Sequence, residues 1–375
     1  MKNYDVIIIG AGSIGLSCAW ALSEKNLNVL VLEENHSYAQ GQTKAAIGGI
    51  RATHSEGAKI ALGNESLKVF STWQEQYGDN IDWIQGGYLY PAYTEKVEQT
   101  LKSLLELQHK NNLNINWITP ERISELVTGI NTENLLGGTF SPQDGHISSL
   151  LGAYALYKQS KHKNAQYHFN EHVIKLEHKK VITDKDTYYA DCFILATGAE
   201  QTKQIIDIDL PVVKERHEAA ITEPYAKFTQ SMIVDIELSK NSGSFYFYQN
   251  KEGQLVFCLT PEPQVISEEK NCTKDFLTNA SRRLLKLLPH AGSIKVRRTW
   301  SGFYPMTPDG IPFFDYIKDK NIYIAVGMCG QGLMLGPGIA LNIAEMILNG
   351  KPLLNEEQMQ HFSIGRVFAK AELLK

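Results

Sequence analysis

Positions 6–9 of the chain read Val-Ile-Ile-Ile, and positions 29–32 read Val-Leu-Val-Leu. Unbroken β-branched and apolar runs of this kind predict strands buried on both faces of a parallel sheet. Small and apolar residues over 13–25 predict a helix between them, so the chain opens as strand, helix, strand. The second strand is expected over 28–32, ending at Glu33. Next comes helical spacing: Ile60, Leu67, Phe70, Trp73 and Tyr77 predict a helix over 57–77, and Val97, Leu101, Leu104, Leu105 and Leu107 another over 95–111. "GGYLYPAY" between them predicts a short strand stopped by Pro91. "TPERISELV" predicts a third helix, capped by Thr119 with Pro120 in its first turn.

The pattern then changes. A loop, "FSPQDGHISS", feeds a helix from about residue 149. Short strands follow over 166–197, ending in "CFILATGAE". From 217 to 259, strand-like pieces recur with no long helix between them: "HEAAIT", "MIVDI", "SFYFYQ" and "QLVFCL". This spacing predicts an antiparallel sheet. An amphipathic helix is expected over 273–288 and a strand at "IKVRRTWSGFY". The end is again α/β: "NIYIAV" is a strand, and Ile339, Ala340, Ile343, Ala344 and Ile347 line one face of a helix starting near Pro337 and closed by Gly350.

Parallel-sheet signals thus sit at the start, near residue 195 and at the end, with antiparallel material between. The expected fold is α/β: a Rossmann-like domain in three segments, 1–84, 145–212 and 305–375, interleaved with an antiparallel or mixed-sheet substrate domain, 85–144 and 213–304. At 375 residues the chain is long enough for two domains.

Composition narrows the class. A net charge of −4 gives no electrostatic reason to expect nucleic acid or an anionic membrane. The five cysteines, 18, 192, 258, 272 and 329, form no CxxC pair, which argues for reduced core thiols and against a zinc or other metal site. The apolar stretch 6–22 has Lys2 before it, but Asp5 and three glycines break the pattern of a signal peptide, and it is short for a membrane span. A cytoplasmic protein is the expectation.

Gly10, Gly12 and Gly15 form GxGxxG directly after a strand and at the start of a helix. The first glycine permits the tight turn, the second lets a pyrophosphate approach the backbone, and the third lets helix and strand pack closely. The helix N-terminus offers amides and a favourable dipole to phosphates. Glu33, at the end of the second strand, is placed to accept from a ribose hydroxyl. This predicts an adenine dinucleotide and does not separate FAD from NAD. In "ILATGAE", Thr197 and Gly198 close a second strand end.

Together, the fingerprint, "GGIRATHSEG", "SPQDGHISS", "ILATGAE", "WSGFYPMTPDG" and "IYIAVGMCGQGLMLGPGIALNIAEMI" resemble the D-amino-acid oxidase superfamily of FAD-dependent amine oxidoreductases. That superfamily includes glycine oxidase, sarcosine oxidase and the β-subunits of dye-linked proline dehydrogenases and opine oxidases. The resemblance covers most of the chain. It implies FAD, with its ring between the two domains, and removal of a hydride from the carbon beside an amine nitrogen, the imine then being hydrolysed. It implies cofactor contacts at Gly10, Gly12, Ser13, Ile14, Gly15, Glu33, Glu34, Thr43, Gly49, Ile50, Val173, Ala196, Thr197, Gly198, Gly327, Gly330, Gln331, Gly332, Leu333 and Met334. Gly336 and Gly338 join these glycines as positions where a backbone could lie against a planar ligand.

The resemblance also implies a substrate site. Arg51 matches the arginine that binds the substrate carboxylate in sarcosine-oxidase-like enzymes. The guanidinium fork suits a carboxylate, although pairing with a structural acid or with the flavin is the alternative. Two other carboxylate anchors of the superfamily are absent: Tyr304 stands where glycine-oxidase-like members carry arginine, and Met334 where monomeric sarcosine oxidases carry lysine. Tyr304 is then a candidate hydroxyl donor. Tyr246 and Tyr248 share a strand face and could line the pocket; His54 could approach the flavin. Gly302 occupies the place of the cysteine that tethers FAD in monomeric sarcosine oxidases, which implies non-covalent FAD, and Cys329 reads as a small packed residue. Val256 or Phe257 replaces the lysine that activates oxygen there, which tilts the expectation from oxidase to dehydrogenase.

The expected activity is oxidation of the C–N bond of a small amino acid, secondary or N-substituted, held so that its α-carbon faces the flavin. No strong acid or base is needed if the amine binds deprotonated. Alternatives are a flavin dehydrogenase for a hydroxy acid or glycerol phosphate, and a flavoprotein subunit of a hetero-oligomer. The acceptor (oxygen, a quinone or a partner subunit) and a homo- or hetero-oligomeric state stay open.

Overall fold

The two apolar runs at the start become the strands Asn3–Ile9 and Val29–Leu32, paired in parallel. Alternation buries both faces of the first: Val6 and Ile8 enter one core, Ile7 and Ile9 another. The computed structural model describes residues 3–199, 202–368 and 371–374; Lys2 and Glu200 lie outside that set.

Among the described residues two large sheets form, each of eight strands. In the first, Ile322–Val326, Thr187–Leu195, Asn3–Ile9, Val29–Leu32 and Gln166–His168 run parallel in that order. Phe313–Ile317 lies antiparallel on one edge. The hairpin Val173–Glu177 and Lys180–Thr183 is attached to Thr187–Leu195. These strands come from residues before 196 and after 312, as the parallel-sheet signals implied.

The second sheet is ordered Val296–Met306, Val213–Pro224, Gln254–Pro261, Ser242–Gln249, Met232–Asp235, Tyr88–Ala92, Gly137–Ser141, Asn116–Ile118. All neighbours are antiparallel except Met232–Asp235 beside Tyr88–Ala92. One face packs Phe245, Phe247 and Phe257 against the helix Phe276–Leu287. The other face, which carries Tyr88, Tyr90 and Tyr246, looks into the cavity described below.

Two local expectations are corrected. Pro91 does not stop its strand, which runs to Ala92. Pro91 pairs with Gly138 on one side, while the strand on the other side reaches only Leu89, so the missing N–H opens no rung. The last long helix is Gly332–Asn349, with Pro337 inside it rather than at its start. That helix is 18 residues long with mean hydropathy 1.3, which would suit a membrane span, yet 56% of it is buried. It packs on the helices Ser13–Ser23 and Gly57–Tyr77: a Cβ on Gly336 would lie 2.8 Å from Ser17 Oγ, and one on Gly338 2.3 Å from the Leu62 carbonyl oxygen. These two glycines serve helix packing and do not reach the cavity.

Candidate active site

A cavity of about 570 Å³ is lined by residues of both sheets. One end is built by the strand–turn–helix at Gly10. Gly10 has φ of +101°, and a Cβ there would sit 2.6 Å from the Ala196 carbonyl oxygen. Only glycine fits such a turn. A Cβ at Gly12 would meet nothing nearer than Thr43 Oγ1 at 3.5 Å, so its space opens to the cavity. Gly15 differs: a Cβ there would lie 1.9 Å from the Gly10 carbonyl oxygen, and the residue is absent from the lining. Its role is helix-to-strand packing.

Glu33 stands beside this turn, 8% exposed. One carboxylate oxygen accepts from the Ala11 amide at 2.7 Å, the other from Asn35 at its backbone and side-chain nitrogens. A carboxylate has about four lone-pair sites, so one stays open to a hydroxyl. Thr43 Oγ1 accepts from the Ser13 amide at 2.9 Å and fixes the start of the helix. Ser13, Ile14, Glu34, Thr43, Gly49, Val173, Ala196, Thr197 and Gly198 also line the cavity, as do Gly330, Gln331, Gly332, Leu333 and Met334. Ile50 and Gly327 do not. Ile50 is fully buried in the core, and a Cβ on Gly327 would meet Thr307 Cγ2 at 2.9 Å, so both belong to packing.

These residues suit a dinucleotide with a planar head. The glycine cradle leaves room at Gly12. Thr197 Oγ1 and Gln331 Oε1 are buried without a partner among the described residues, and both residues line the cavity. Buried polar atoms of this kind call for a ligand or water.

The far end is a substrate-sized chamber. Two neighbours hold the Tyr304 ring: it stacks on His217, with centroids 3.7 Å apart, and the Gly330 backbone lies so close that a Cβ there would come within 2.3 Å of it. The register puts His217 opposite Gly302, so the histidine ring has space. His217 Nε2 lies 3.0 Å from Glu215 Oε1. The Tyr304 and Tyr246 hydroxyls are 2.5 Å apart. Burial, then the neighbouring Cys258, raises both tyrosines above their ordinary value, so both are neutral. Cys258 itself is pushed to about 12 by burial.

Arg51 lines the same cavity near Tyr88 and Tyr90, and is 5% exposed. Its guanidinium donates to the carbonyls of Thr53 and Leu374. Two bonds leave three of its five N–H donors. Asp144 fixes the local backbone, accepting from the Ala52 amide at 2.9 Å and the Thr53 hydroxyl at 2.5 Å. Tyr90 Oη is buried without a partner among the described residues.

Other candidates fall elsewhere. Tyr248 shares the strand face of Tyr246, but its hydroxyl donates to the Ile47 carbonyl and it lines a smaller cavity of about 280 Å³. Val256 lines that smaller cavity too, while Phe257 is in the core under the sheet. His54 is wholly buried and off the cavity, kept neutral by burial and then by Arg51 and Lys59. Cys329 lines the cavity, but its thiol contacts Thr307 Oγ1 and the Gly327 carbonyl. The sequence reading missed Tyr88, Tyr90, His217, Glu215 and Glu372. For the first two, alternation with Leu89 was the available signal; the others depend on pairings distant in sequence.

A family model described as FAD dependent oxidoreductase matches residues 5–346. The chain is 29% identical over 386 residues to the bifunctional protein ThiO/ThiG of Synechocystis, covering 96% of this chain and 54% of that protein. It is 24% identical to the glycine oxidase of Bacillus subtilis, covering 97% of this chain and 98% of that protein. The crystal structure of L-proline dehydrogenase from P. horikoshii superposes with a TM-score of 0.89 at 25% identity, covering 96% of this chain and 97% of that one.

Proposed function

Because the chain belongs to the FAD-dependent oxidoreductase family named for D-amino-acid oxidase, and is an amino-acid oxidoreductase by its relatives, we propose that its substrate is a small secondary or N-substituted amino acid. A sarcosine oxidase subunit beta among the relatives and an L-proline dehydrogenase among the similar structures support a secondary amine, while a glycine oxidase supports only the small amino acid.

The observation that carries the reading is Arg51, a buried cation in the cavity wall beside a Tyr90 hydroxyl that has no partner among the described residues. A buried guanidinium favours an anion. In this reading the Arg51 guanidinium and the Tyr90 hydroxyl take the substrate carboxylate. The Tyr246 and Tyr304 hydroxyls face the amine, and as neutral groups they accept from N–H without trapping the amine as a cation. Met232, Val234 and Met334 give the chamber apolar walls that exclude water. FAD, when bound, supplies the acceptor for the hydride from the carbon beside the nitrogen. Its holders are the Gly10–Gly12 turn, Glu33, Thr43, Thr197 and Gln331.

Binding of FAD is non-covalent in this reading. Gly302 offers no nucleophile, and burial raises the Cys329 thiol above its ordinary value.

The test is anaerobic mixing of the purified holoenzyme with a panel of primary, secondary and N-methyl amino acids and matching hydroxy acids, reading flavin bleaching. Secondary amino acids should bleach it fastest. Bleaching by hydroxy acids alone would overturn the proposal. Arg51→Met should raise KM about 100-fold, the scale of a lost charge-assisted pair, with flavin retained. Loss of flavin would make Arg51 a cofactor residue.

A further inference from the structure

Arg51 is already occupied by the protein. Residues 371–374 return to the cavity across more than 300 positions of sequence. Leu374 lends its carbonyl to Arg51 and buries its side chain, 1% exposed, in the cluster with Tyr88, Tyr90 and Met232. Glu372 and Leu373 line the cavity.

Glu372 is the anchor. Its amide donates to the Asp309 carbonyl at 3.0 Å. One carboxylate oxygen accepts from the Ser55 amide at 2.8 Å and the Ser55 hydroxyl at 2.7 Å. The other lies 3.1 Å from Lys59 Nζ, and neither side chain is exposed. The Ser55 hydroxyl also accepts from the Leu373 amide at 2.8 Å. Anchor and plug differ in kind. The anchor is charged and buried, whereas the plug is one neutral carbonyl on a cation.

A carboxylate brings a guanidinium a full negative charge and a bidentate geometry, neither of which a single neutral carbonyl offers. We propose that residues 372–374 form a specificity strap: Leu374 holds Arg51 until a ligand carboxylate displaces its carbonyl, while Glu372 keeps the strap tethered. This rests on Arg51 being the carboxylate anchor. The strap then selects for anionic ligands, because a neutral amine or amide cannot outcompete the Leu374 carbonyl, and it sets the apparent affinity through the fraction of time that Arg51 is free.

The experiment uses holoenzyme, with acetate as probe and acetamide as uncharged control. Acetate affinity is read by perturbation of the flavin spectrum, and strap docking by hydrogen exchange of the C-terminal peptide. Acetate, and not acetamide, should speed exchange of that peptide. Deleting residues 371–375 should tighten acetate binding about tenfold, as for a site free roughly a tenth of the time. Ser55→Ala, which loosens the strap without stranding a buried charge, should tighten it in the same direction if the deletion does not fold. Arg51→Met should bind no acetate in either background. If Arg51→Met abolishes binding but neither strap variant tightens it, or acetate slows the exchange, the strap is overturned and the role of Arg51 stands. If Arg51→Met binds acetate normally, both fall.

Discussion

Tyr246 and Tyr304 put their hydroxyls 2.5 Å apart, although they are 58 positions apart in sequence and lie on strands separated by two others. One hydroxyl donates to the other, so one proton is left, for which a ligand competes with the neighbouring Cys258 sulfur. The stack of His217 and the backbone of Gly330 hold the Tyr304 ring, so the pair presents one fixed hydrogen-bonding unit.

If the pair acts as a unit, Tyr246→Phe and Tyr304→Phe should each lower kcat/KM by about tenfold, and the double variant by much less than the product. Partners in one network couple by about 0.5–3 kcal/mol. A double-mutant cycle on kcat/KM, with flavin content checked, measures this. A fully additive cycle would mean that each hydroxyl acts alone.

The fingerprint glycines should separate cleanly. Gly12→Ala meets only Thr43 Oγ1 at 3.5 Å, so the apoprotein should fold with nearly unchanged Tm while flavin affinity falls at least tenfold. Gly15→Ala drives a methyl to 1.9 Å from the Gly10 carbonyl oxygen and should destabilise by several kcal/mol even without flavin. Thermal melts of the two apoproteins, beside flavin titrations, decide it. Equal melting would remove the distinction between a cofactor glycine and a packing glycine.

Gly338→Ala tests the correction at the last helix. Its Cβ would lie 2.3 Å from the Leu62 carbonyl oxygen, so the helix must shift off its neighbour. The expectation is a loss of about 1–3 kcal/mol, read as a lower Tm in the apoprotein as well as in the holoprotein. A normal apoprotein Tm with lost flavin would return Gly338 to the ligand.

What could be read in advance follows physical range. The opening strand–turn–helix was legible because its signals, a β-branched run and three glycines at fixed spacing, are local. The helix Gly57–Tyr77 was legible from its apolar spacing. Arg51 could be singled out as a cation on a glycine-flanked segment, but its partners could not. Thr53 is two residues away, yet Leu374 is 323 away, and nothing in "AELLK" marks it as a plug. The stack of His217 on Tyr304 likewise exists only through a strand register that places His217 opposite a glycine. Gly336 and Gly338 were misread because glycine allows close approach of either a ligand or another helix, and sequence does not say which.

Asp144 should leave a signature in the pH dependence of stability. Burial lifts its pKa from 3.8 to about 6, although the Thr53 hydroxyl, the Ala52 amide and Arg51 all pull it down. Between those two values the folded protein binds a proton at this site that the unfolded chain has released. Stability therefore falls as pH rises through that window, and the contribution is complete above about 6. Glu372 works in the opposite sense. Burial would raise it, but Lys59, Ser55 and Arg51 hold it below its ordinary value, so its contribution is lost as pH falls through its folded pKa. Asp144→Asn removes the first effect and leaves the second. The variant should gain stability relative to the native protein as pH rises from 4 to 6, by on the order of 1–3 kcal/mol, and then stay level. Denaturant melts across that range check it. A native–variant difference that does not change with pH would mean that Asp144 is ionised throughout, with Arg51 outweighing its burial.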